Sequence, residues 1–383
     1  MSPLASKLTV LLFNPFVQRR WRWLGYLTDF ERLNRRMHNK SFTADNQATI
    51  VGGRNVGDEY FAAGDATLFV DLDVMAVGPI VDEVSRDFDR YWASASAYPA
   101  SVLLRGLGSE TIATVAEAAA QAERDPAARA YVEALATAPF VRDLLAGTLA
   151  LDWAAARLVS DDPAKGQGRA APAQMLPQRL KAALGDIRRE LLIVSPYFVP
   201  TADGVEALSA MARSGVRVQV LTNALEATDV ALVHAGYARW RRELLEAGVA
   251  LYEMRRASLA AAPGGPRFMR VGSSAASLHA KTFTVDGARL FVGSFNFDPR
   301  SAELNTEMGV LIDSAALAGQ ATRLFADKVP AMAYELRLGA DGGLRWIERS
   351  GGRELVHDVE PGTSWLQRVA VRLLSLLPIE RLL

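Results

Sequence analysis

Hydrophobic and polar residues alternate with two different periods between residues 189 and 255, and this predicts an α/β fold. Apolar runs rich in β-branched residues predict strands, and apolar residues at helical spacing predict the intervening helices. The predicted strands cover 189–200, 216–223 and 249–255, and the predicted helices cover 204–215 and 228–248. Both helices are closed by a glycine. Strands separated by helices of this length imply crossover connections and a mostly parallel or mixed sheet.

The chain also contains one long-period internal repeat. The sequence HNKSFTADNQATIVGGRN begins at His38, and the sequence HAKTFTVDGARLFVGSFN begins at His279. Both copies read His-x-Lys-x4-Asp and continue to a pair of small residues and an Asn. The shared positions are His38, Lys40, Asp45, Gly53 and Asn55 in the first copy, and His279, Lys281, Asp286, Ser294 and Asn296 in the second. A repeat of this length indicates a duplicated domain and not a solenoid.

The segments around the two copies are also alike. Each copy alternates between apolar and polar residues, which favours a half-buried strand with the His and the Lys on one side. A strand-like run follows at 67–78 or 305–312, and a helical pattern follows at 80–92 or 316–329. The predicted fold class is therefore α/β, with two similar α-β-α domains, mixed sheets and one active site at a pseudo-twofold interface.

The first half is expected to be shortened at its N-terminus. Only 37 residues precede His38, enough for KLTVLLF, the counterpart of the strand at 249–255, and one basic helical stretch. The Gly-, Pro- and Ala-rich stretch 161–174 is expected to be an exposed loop or linker. The predicted division is 1–100 for the first half, 101–174 for an Ala-rich helical insert and linker, 175–345 for the second half, and 346–383 for a C-terminal tail with an amphipathic helix.

Composition excludes several kinds of site. The chain has no cysteine, which excludes disulfides, Cys-ligated zinc, iron–sulfur clusters and thiolate nucleophiles. The four histidines are not spaced as a helical metal pair, and neither a metal nor a cofactor is expected. The 43 basic and 43 acidic residues leave no net charge, which argues against nucleic acid as a partner. No apolar run approaches the ~18 residues of a transmembrane helix, and no signal-peptide pattern is found. Neither a transmembrane helix nor a signal peptide is therefore expected.

The repeated residues suit attack on a phosphodiester. One neutral imidazole can attack phosphorus while a second, protonated imidazole releases the alcohol, because the pKa of histidine lies near neutral pH. Two lysines supply positive charge beside the phosphate, and two Asn amides can donate hydrogen bonds to it. A lone His-x-Lys on a strand is more often an ordinary surface or core pair. Here two of only four histidines fall in the same frame, which favours a phosphate-transfer centre built by both copies.

The two copies resemble the HKD signature of the phospholipase D superfamily. The similarity extends to RRMHNKSFTADNQATIVGGRNVGDEYF, SPYFVP and GSFNFDPRSAELNTEMG, which resemble bacterial phospholipase-D-type cardiolipin synthases, most of all those of the C branch. The resemblance covers nearly the whole chain from about Leu8. Members of this family carry an extra strand–helix block before the first motif, so the resemblance also implies a shortened first half.

The resemblance implies a metal-independent, two-step transfer through a phosphohistidine. It implies that His38 is the nucleophile and that His279 is the general acid and then the base, although the residues alone are too symmetric to choose. An acidic residue after each motif is implied to orient a histidine, with Asp73 the alternative to Asp71, while Glu307 could instead cap an edge strand. The implied catalytic set is His38, Lys40, Asp45, His279, Lys281 and Asp286, in which the two Asp residues act as structural support. The implied phosphate-binding and supporting set is Asn55, Asn296, Ser294, Gly53, Glu307 and Asp71.

The predicted function is that of a phosphatidyl transferase that makes cardiolipin from phosphatidylglycerol and a second phospholipid. Phosphatidylethanolamine is the expected donor. One alternative is a phospholipase-D-like phosphodiesterase that uses water as the acceptor. Another is a catalytically impaired, membrane-associated remnant, since an incomplete first half could misplace His38. The segment SPYFVP (195–200) is predicted to be either a wall of the pocket or a buried strand end.

Two segments suggest contact with a membrane surface. Residues 365–377 form an amphipathic pattern that suits an interfacial helix. The run Arg19-Arg20-Trp21-Arg22-Trp23 is basic and aromatic, as at a lipid headgroup boundary. The alternatives are a C-terminal helix docked on its own domain and a solvated arginine-rich helix face. We expect a peripheral protein at the cytoplasmic face of the bacterial inner membrane, with phospholipid substrates and an oligomeric state that the residues leave open.

Overall fold

The computed structural model describes residues 9–17, 21–57, 60, 68–103, 109–256, 276–377 and 380 of the chain. The strands are β1 (Leu11–Phe13), β2 (Ser41–Ala44), β3 (Ala48–Gly52), β4 (Leu68–Val70), β5 (Asp73–Val77), β6 (Ala97–Pro99), β7 (Ala155–Ser160), β8 (Glu190–Val194), β9 (Arg217–Asn223), β10 (Ala250–Met254), β11 (Ala276–Leu278), β12 (Thr282–Val285), β13 (Arg289–Gly293), β14 (Met308–Asp313), β15 (Ala333–Leu338), β16 (Leu344–Ser350) and β17 (Arg353–His357). The α-helices are α1 (Arg22–Thr28), α2 (Phe30–Leu33), α3 (Pro79–Trp92), α4 (Ala100–Leu103), α5 (Ser109–Arg124), α6 (Pro126–Ala136), α7 (Pro139–Leu145), α8 (Leu176–Leu184), α9 (Thr201–Arg213), α10 (Ala231–Ala238), α11 (Arg241–Glu246), α12 (Ala315–Met332) and α13 (Trp365–Leu374). Short helical turns cover Pro163–Gln167, Pro172–Gln174 and Arg300–Leu304.

One large mixed sheet forms the centre of the second half. Its strand order is β17-β16-β15-β10-β9-β8-β12-β13-β14-β7. Strands β8, β9 and β10 run parallel and are joined through helices, as their apolar pattern predicts. Val205 and Leu208 of α9 and Leu244 of α11 are fully buried in the same apolar cluster as these strands. The predicted mixed α/β architecture is confirmed.

The first half repeats part of this design on a smaller scale. In the part of the chain that the structure describes, β2, β3 and β5 form a three-stranded antiparallel sheet followed by α3. The equivalent strands of the second half are β12, β13 and β14, followed by α12. Strand β1 pairs with β6, whereas its predicted counterpart β10 lies inside the large sheet. Among the described residues, the sheet that contains the first motif has three strands, and the sheet that contains the second motif has ten.

The two halves share a hydrophobic core. Val51 of β3 and Ile80 and Val84 of α3 pack in one buried cluster with Met308 and Val310 of β14. Burial of apolar side chains from both halves in one cluster favours a fixed arrangement of the halves, because separating them would expose these side chains to water. This shared core brings the two repeated motifs to the same region of the molecule.

Two predicted elements are each divided in the structure. The run predicted as one strand at 67–78 forms two strands, β4 and β5, which belong to different sheets. Asp71 and Leu72 lie between them and are not part of either strand. The helix predicted at 228–248 forms α10 and α11, with Arg239 and Trp240 between them. Periodicity continues across both breaks, so it does not reveal them.

The stretch 161–174, predicted to be an exposed loop, is partly buried. It contains two short helical turns, and the side chains of Asp161 and Lys165 are fully buried as an ion pair. Strand β7, which precedes this stretch, pairs with β14 of the large sheet. We therefore propose that the second half begins near residue 155 and not at residue 175.

Candidate active site

Backbone pairing brings His38 to the second half. The amide of His38 donates to the carbonyl of Thr306 (2.9 Å), and the amide of Thr306 donates to the carbonyl of Arg36 (2.9 Å). Glu307 follows Thr306, and its Oε2 lies 2.9 Å from Nδ1 of His38. The Glu307 side chain is fully buried, while 23% of the His38 side chain is exposed. Glu307 is thus a histidine partner and not the cap of an edge strand.

The first half holds His279 in a similar way. Strand β11 pairs with β4 in parallel, and the amide of His279 donates to the carbonyl of Val70 (2.8 Å). Asp71 follows Val70, and its Oδ2 lies 2.6 Å from Nδ1 of His279. Only 9% of the His279 side chain is exposed. The alternative carboxylate, Asp73, instead pairs with Arg54 at 2.6 Å, so the structure selects Asp71.

The two histidine–carboxylate pairs are crossed between the halves. Asp71 follows the first motif and contacts the histidine of the second, while Glu307 follows the second motif and contacts the histidine of the first. Each pair therefore forms only when both halves are in place. Among the described residues, no group of three His, Asp or Glu side chains is arranged to hold a metal ion.

Each lysine lies against the histidine of its own motif. Nζ of Lys40 donates to the carbonyl of His38 (2.8 Å). Nζ of Lys281 donates to the carbonyl of His279 and lies 3.0 and 3.1 Å from its two ring nitrogens. Burial lowers the pKa of Lys40 to about 8 and the pKa of Lys281 to about 7. A phosphate group beside the two amines would favour their charged forms, because an anion stabilises a nearby ammonium.

The ionisation of the site follows from burial and from these contacts. Burial lowers the pKa of both His38 and His279 and outweighs the carboxylate partners Glu307 and Asp71, which raise it, while the charges of the two lysines lower it further. Burial alone would raise the pKa of Glu307 and Asp71, but their histidine and lysine neighbours outweigh it and lower both values. Neutral imidazoles beside ionised carboxylates donate from Nδ1, which leaves the lone pair on Nε2.

A buried polar network supports Glu307. Its carboxylate accepts hydrogen bonds from the hydroxyls of Ser294 and Ser301, and its amide donates to Asp161 (2.8 Å). Lys165 donates both to Asp161 (2.9 Å) and to the carbonyl of Ser301 (2.9 Å). Ser294 belongs to the repeated motif and was predicted. The other three residues were not predicted from the sequence, because the composition around Asp161 and Lys165 indicates only a loop and Ser301 differs in type from Tyr60, the residue at its position in the first copy.

The two copies differ at the small residue of the motif, which is Gly53 or Ser294, and in the contacts that the motif Asn makes. A Cβ atom at Gly53 would lie 2.5 Å from Oδ1 of Asp71, so glycine at this position leaves room for the carboxylate. The equivalent residue of the second copy, Ser294, donates a hydrogen bond to Glu307. Asn55 donates to the hydroxyl of Tyr60 (2.6 Å), a residue that the sequence analysis did not identify. Asn296 is buried, and its Oδ1 has no hydrogen-bond partner among the described residues, so it is available to a ligand.

The structure separates the two motif aspartates from the histidines. Asp45 and Asp286 both have positive φ values, 50° and 55°, in the turns of the β2–β3 and β12–β13 hairpins. Asp286 lies five residues after Lys281, about 17 Å along a strand at about 3.3 Å per residue. Its Oδ1 accepts the amides of Arg189 (2.7 Å) and Glu190 (3.0 Å) at the start of β8. These contacts support a structural role for Asp286, and Asp45 is exposed in the equivalent turn.

The segment SPYFVP packs directly against the end of the second motif. The hydroxyl of Ser195 accepts the amide of Phe297 (3.0 Å), and the amide of Val199 donates to the carbonyl of Phe297 (2.8 Å). Between them, the hydroxyl of Tyr197 donates to Asp229 (2.7 Å). The segment therefore lies directly after β8, at the end of the sheet where the second motif also ends. This is the position expected of a pocket wall.

Comparison with known proteins agrees with these observations. The family model described as "Cardiolipin synthase, PLD-like domain" matches residues 180–329. Cardiolipin synthase C of Escherichia coli (strain K12) is 49% identical over 98% of this chain and 79% of its own length. An uncharacterized protein of Helicobacter pylori (strain J99) is 33% identical over 82% of this chain and 61% of its own length.

A solved structure shares the fold. The crystal structure of phosphatidylserine synthase from Haemophilus influenzae Rd KW20 superposes with a TM-score of 0.53 at 16% identity, over 91% of this chain and 71% of that chain. The sequence similarity to Cardiolipin synthase C spans both repeated motifs and both carboxylates that contact their histidines. The chain therefore belongs to the cardiolipin synthase family of phospholipase-D-like enzymes.

Proposed function

We propose that this enzyme transfers a phosphatidyl group from a phospholipid donor to the free hydroxyl of phosphatidylglycerol, with cardiolipin as the product. Phosphatidylethanolamine is the proposed donor, and a phosphatidyl-histidine is the intermediate. The crossed pairing of His38 with Glu307 and of His279 with Asp71 is the observation that carries this proposal. It supplies two oriented imidazoles in one site with two lysines, which is what displacement at phosphorus in two steps requires.

In the first step, Nε2 of His38 attacks the phosphorus of the donor and forms a P–N bond. His279 is neutral in the resting site, and binding of the anionic donor phosphate favours its protonated form. The P–O bond to the donor alcohol breaks, and protonated His279 gives its Nε2 proton to that alcohol. In the second step, the hydroxyl of phosphatidylglycerol attacks the phosphorus, the P–N bond breaks, and neutral His279 accepts the hydroxyl proton. Lys40, Lys281, Asn55 and Asn296 bind the non-bridging oxygens of the phosphate.

Exposure and hydrogen bonding support His38 as the nucleophile. Its side chain is the more exposed of the two histidines, 23% against 9%. Its carboxylate partner is also the more firmly held, because two serine hydroxyls donate to Glu307. On the other side of the site, the hydroxyl of Tyr60 lies 3.3 Å from Nε2 of His279. A proton-transfer role for His279 agrees with a hydroxyl at that nitrogen.

The proposal can be tested directly by assaying the purified protein with vesicles that contain both phosphatidylglycerol and phosphatidylethanolamine. The wild type should form cardiolipin and release ethanolamine in equal amounts. The variants His38→Ala and His279→Ala should form neither product at a detectable rate, since each removes a group that the two steps share. Equal cardiolipin from the wild type and both variants would contradict the proposal.

A peripheral membrane position is part of the proposal. In the part of the chain that the structure describes, no helix is long and apolar enough to cross a membrane. Helix α13 packs on the protein through Val371 and Leu374, while other apolar residues of the helix and of the turn after it are exposed. The exposed residues are Trp365, Leu366, Val369, Leu373, Leu376 and Leu377. This apolar face suits insertion at a lipid surface, and we assign it to the cytoplasmic face of the inner membrane.

The second membrane segment lies only partly within the described residues. Arg19 and Arg20 lie outside them. Trp21 and Trp23 are exposed, and their rings stack with centroids 6.4 Å apart. Exposed tryptophans are favourable at a lipid headgroup boundary, which supports this segment as a second contact.

We expect the variant Leu366→Glu/Leu373→Glu to bind anionic phospholipid vesicles at least about tenfold more weakly than the wild type. Each leucine side chain gains roughly 1.5–3 kcal/mol on full transfer from water to an apolar environment, and a carboxylate loses that gain. Vesicle co-sedimentation at fixed salt measures the effect. The exposed Leu324 of α12 provides a matched control, and Leu324→Glu should bind as the wild type does. Equal binding by all three proteins would contradict the role of α13.

A further inference from the structure

Tyr60 places a hydroxyl at the nitrogen of His279 that exchanges protons in the proposed reaction. The Tyr60 oxygen lies 3.3 Å from Nε2 of His279 and accepts a hydrogen bond from the Asn55 amide (2.6 Å). The two rings meet edge to face, with centroids 4.9 Å apart and planes at 81°. Because Nδ1–H of His279 points at Asp71, Nε2 carries the lone pair, and the Tyr60 hydroxyl donates to it beside Nζ of Lys281, which lies 3.1 Å from the same nitrogen.

The position of Tyr60 is imposed by several contacts. Its side chain is buried, and its carbonyl accepts a hydrogen bond from Arg54. Arg54 in turn pairs with Asp73 (2.6 Å) at the start of β5. The amide of Tyr60 donates to the carbonyl of Gly57 (3.0 Å). These contacts anchor the residue at its backbone, while Asn55 and His279 contact its hydroxyl.

The group that occupies this position decides the product of the second step. If an alcohol is at Nε2, its oxygen attacks phosphorus, the P–N bond breaks, His279 takes the proton, and a phosphodiester forms. If water is there, the same bond changes give phosphatidic acid. Water is a small and abundant competitor, so transfer requires that it be kept from the base until the acceptor lipid arrives.

We propose that Tyr60 is a specificity-determining residue that favours transfer over hydrolysis, an inference that rests on the function proposed above. Its hydroxyl satisfies both the Asn55 amide and Nε2 of His279, so water gains no place between them. The hydroxyl of the acceptor lipid displaces the tyrosine hydroxyl and takes over the same two hydrogen bonds. In the resting enzyme, the Tyr60 hydroxyl thus occupies the position that the hydroxyl of the acceptor lipid later takes.

The variant Tyr60→Phe tests this inference. Removal of the hydroxyl leaves a gap with two polar neighbours, the Asn55 amide and Nε2 of His279, and such a gap admits a water molecule. In mixed vesicles of phosphatidylglycerol and phosphatidylethanolamine, we expect the ratio of phosphatidic acid to cardiolipin to rise about tenfold. The sum of both products should fall by less than about tenfold, since the histidines and lysines remain.

A matched control and a second variant make the result decisive. Tyr334 donates its hydroxyl to Glu226 (3.0 Å), and its ring meets His357, neither of which belongs to the candidate site, so Tyr334→Phe should keep the wild-type product ratio. Tyr60→Leu, which removes the ring as well, should raise the ratio at least as far as Tyr60→Phe. An unchanged ratio in a folded Tyr60 variant, or a proportional fall of both products, would overturn the inference alone. A wild type that forms no cardiolipin would overturn the proposed function and this inference together.

Discussion

Replacement of His38 by alanine is expected to abolish the covalent intermediate, whereas replacement of His279 is expected to trap it. The experiment uses a phosphatidyl donor with a radiolabelled phosphate and p-nitrophenol as the leaving group. This alcohol leaves without protonation, so His279→Ala can complete the first step. The second step then lacks its base, and labelled protein should accumulate to nearly one equivalent. His38→Ala should carry no label, and its turnover should fall at least about 10⁴-fold.

The chemistry of the linkage provides the control for this experiment. A phosphatidyl-histidine is labile to acid and stable to alkali, whereas a phosphoester on a serine or threonine survives acid. Accumulation of label in His38→Ala but not in His279→Ala would reverse the two roles. A complete absence of label in both variants, with an active wild type, would mean that the acceptor displaces the donor alcohol in a single step.

The variant Glu307→Gln is expected to lower kcat by about 10³–10⁴-fold while KM changes little. The wild-type carboxylate only accepts hydrogen bonds, and it receives them from Nδ1 of His38 and from the hydroxyls of Ser294 and Ser301. A glutamine amide turned toward His38 would donate to Nδ1 and move the ring proton to Nε2. That is the nitrogen that must attack phosphorus, so the enzyme would hold the wrong tautomer.

Two measurements separate this tautomer effect from loss of the fold. The thermal midpoint of Glu307→Gln should stay close to that of the wild type, because the side chain keeps its size and its burial. Ser301→Ala removes one of the two supporting hydroxyls but leaves the carboxylate, and its kcat should fall by less than about tenfold. A kcat of folded Glu307→Gln within tenfold of the wild type would show that Glu307 does not set the tautomer of His38.

Local pattern was sufficient for much of the fold and for the centre of the site. Period-two and helical patterns predicted β8, β9 and β10 with their helices, and the repeat predicted the helix after each motif. Each motif was predicted to be one strand, whereas the structure folds it as a hairpin of two strands. The repeat also predicted the histidines and the lysines, whereas the two orienting carboxylates were implied by the resemblance to the phospholipase D superfamily. These features are local in the chain, and the duplication provides a second copy against which each can be checked.

The features that were missed depend on contacts between distant segments. Lys165 lies in a stretch whose Gly, Pro and Ala content indicates a linker, yet its ammonium is buried against Asp161 and holds the carbonyl of Ser301. Tyr60 lies opposite Ser301 at the 241-residue period of the repeat, and the repeat identifies neither because the two residue types differ. Composition and periodicity report the secondary structure that a segment favours, and they carry no information about the segments that lie next to it in space.

The amino-acid sequence by itself determined the duplicated motif, the mixed α/β architecture and the type of chemistry, because each follows from residue types at short, regular spacing. Only the tertiary structure decided that Asp71 contacts His279 and that Glu307 contacts His38, since each pair joins residues more than two hundred positions apart. It also decided the ionisation of the site, because the lowered pKa values of Lys40 and Lys281 arise from burial that exists only after both halves have folded together.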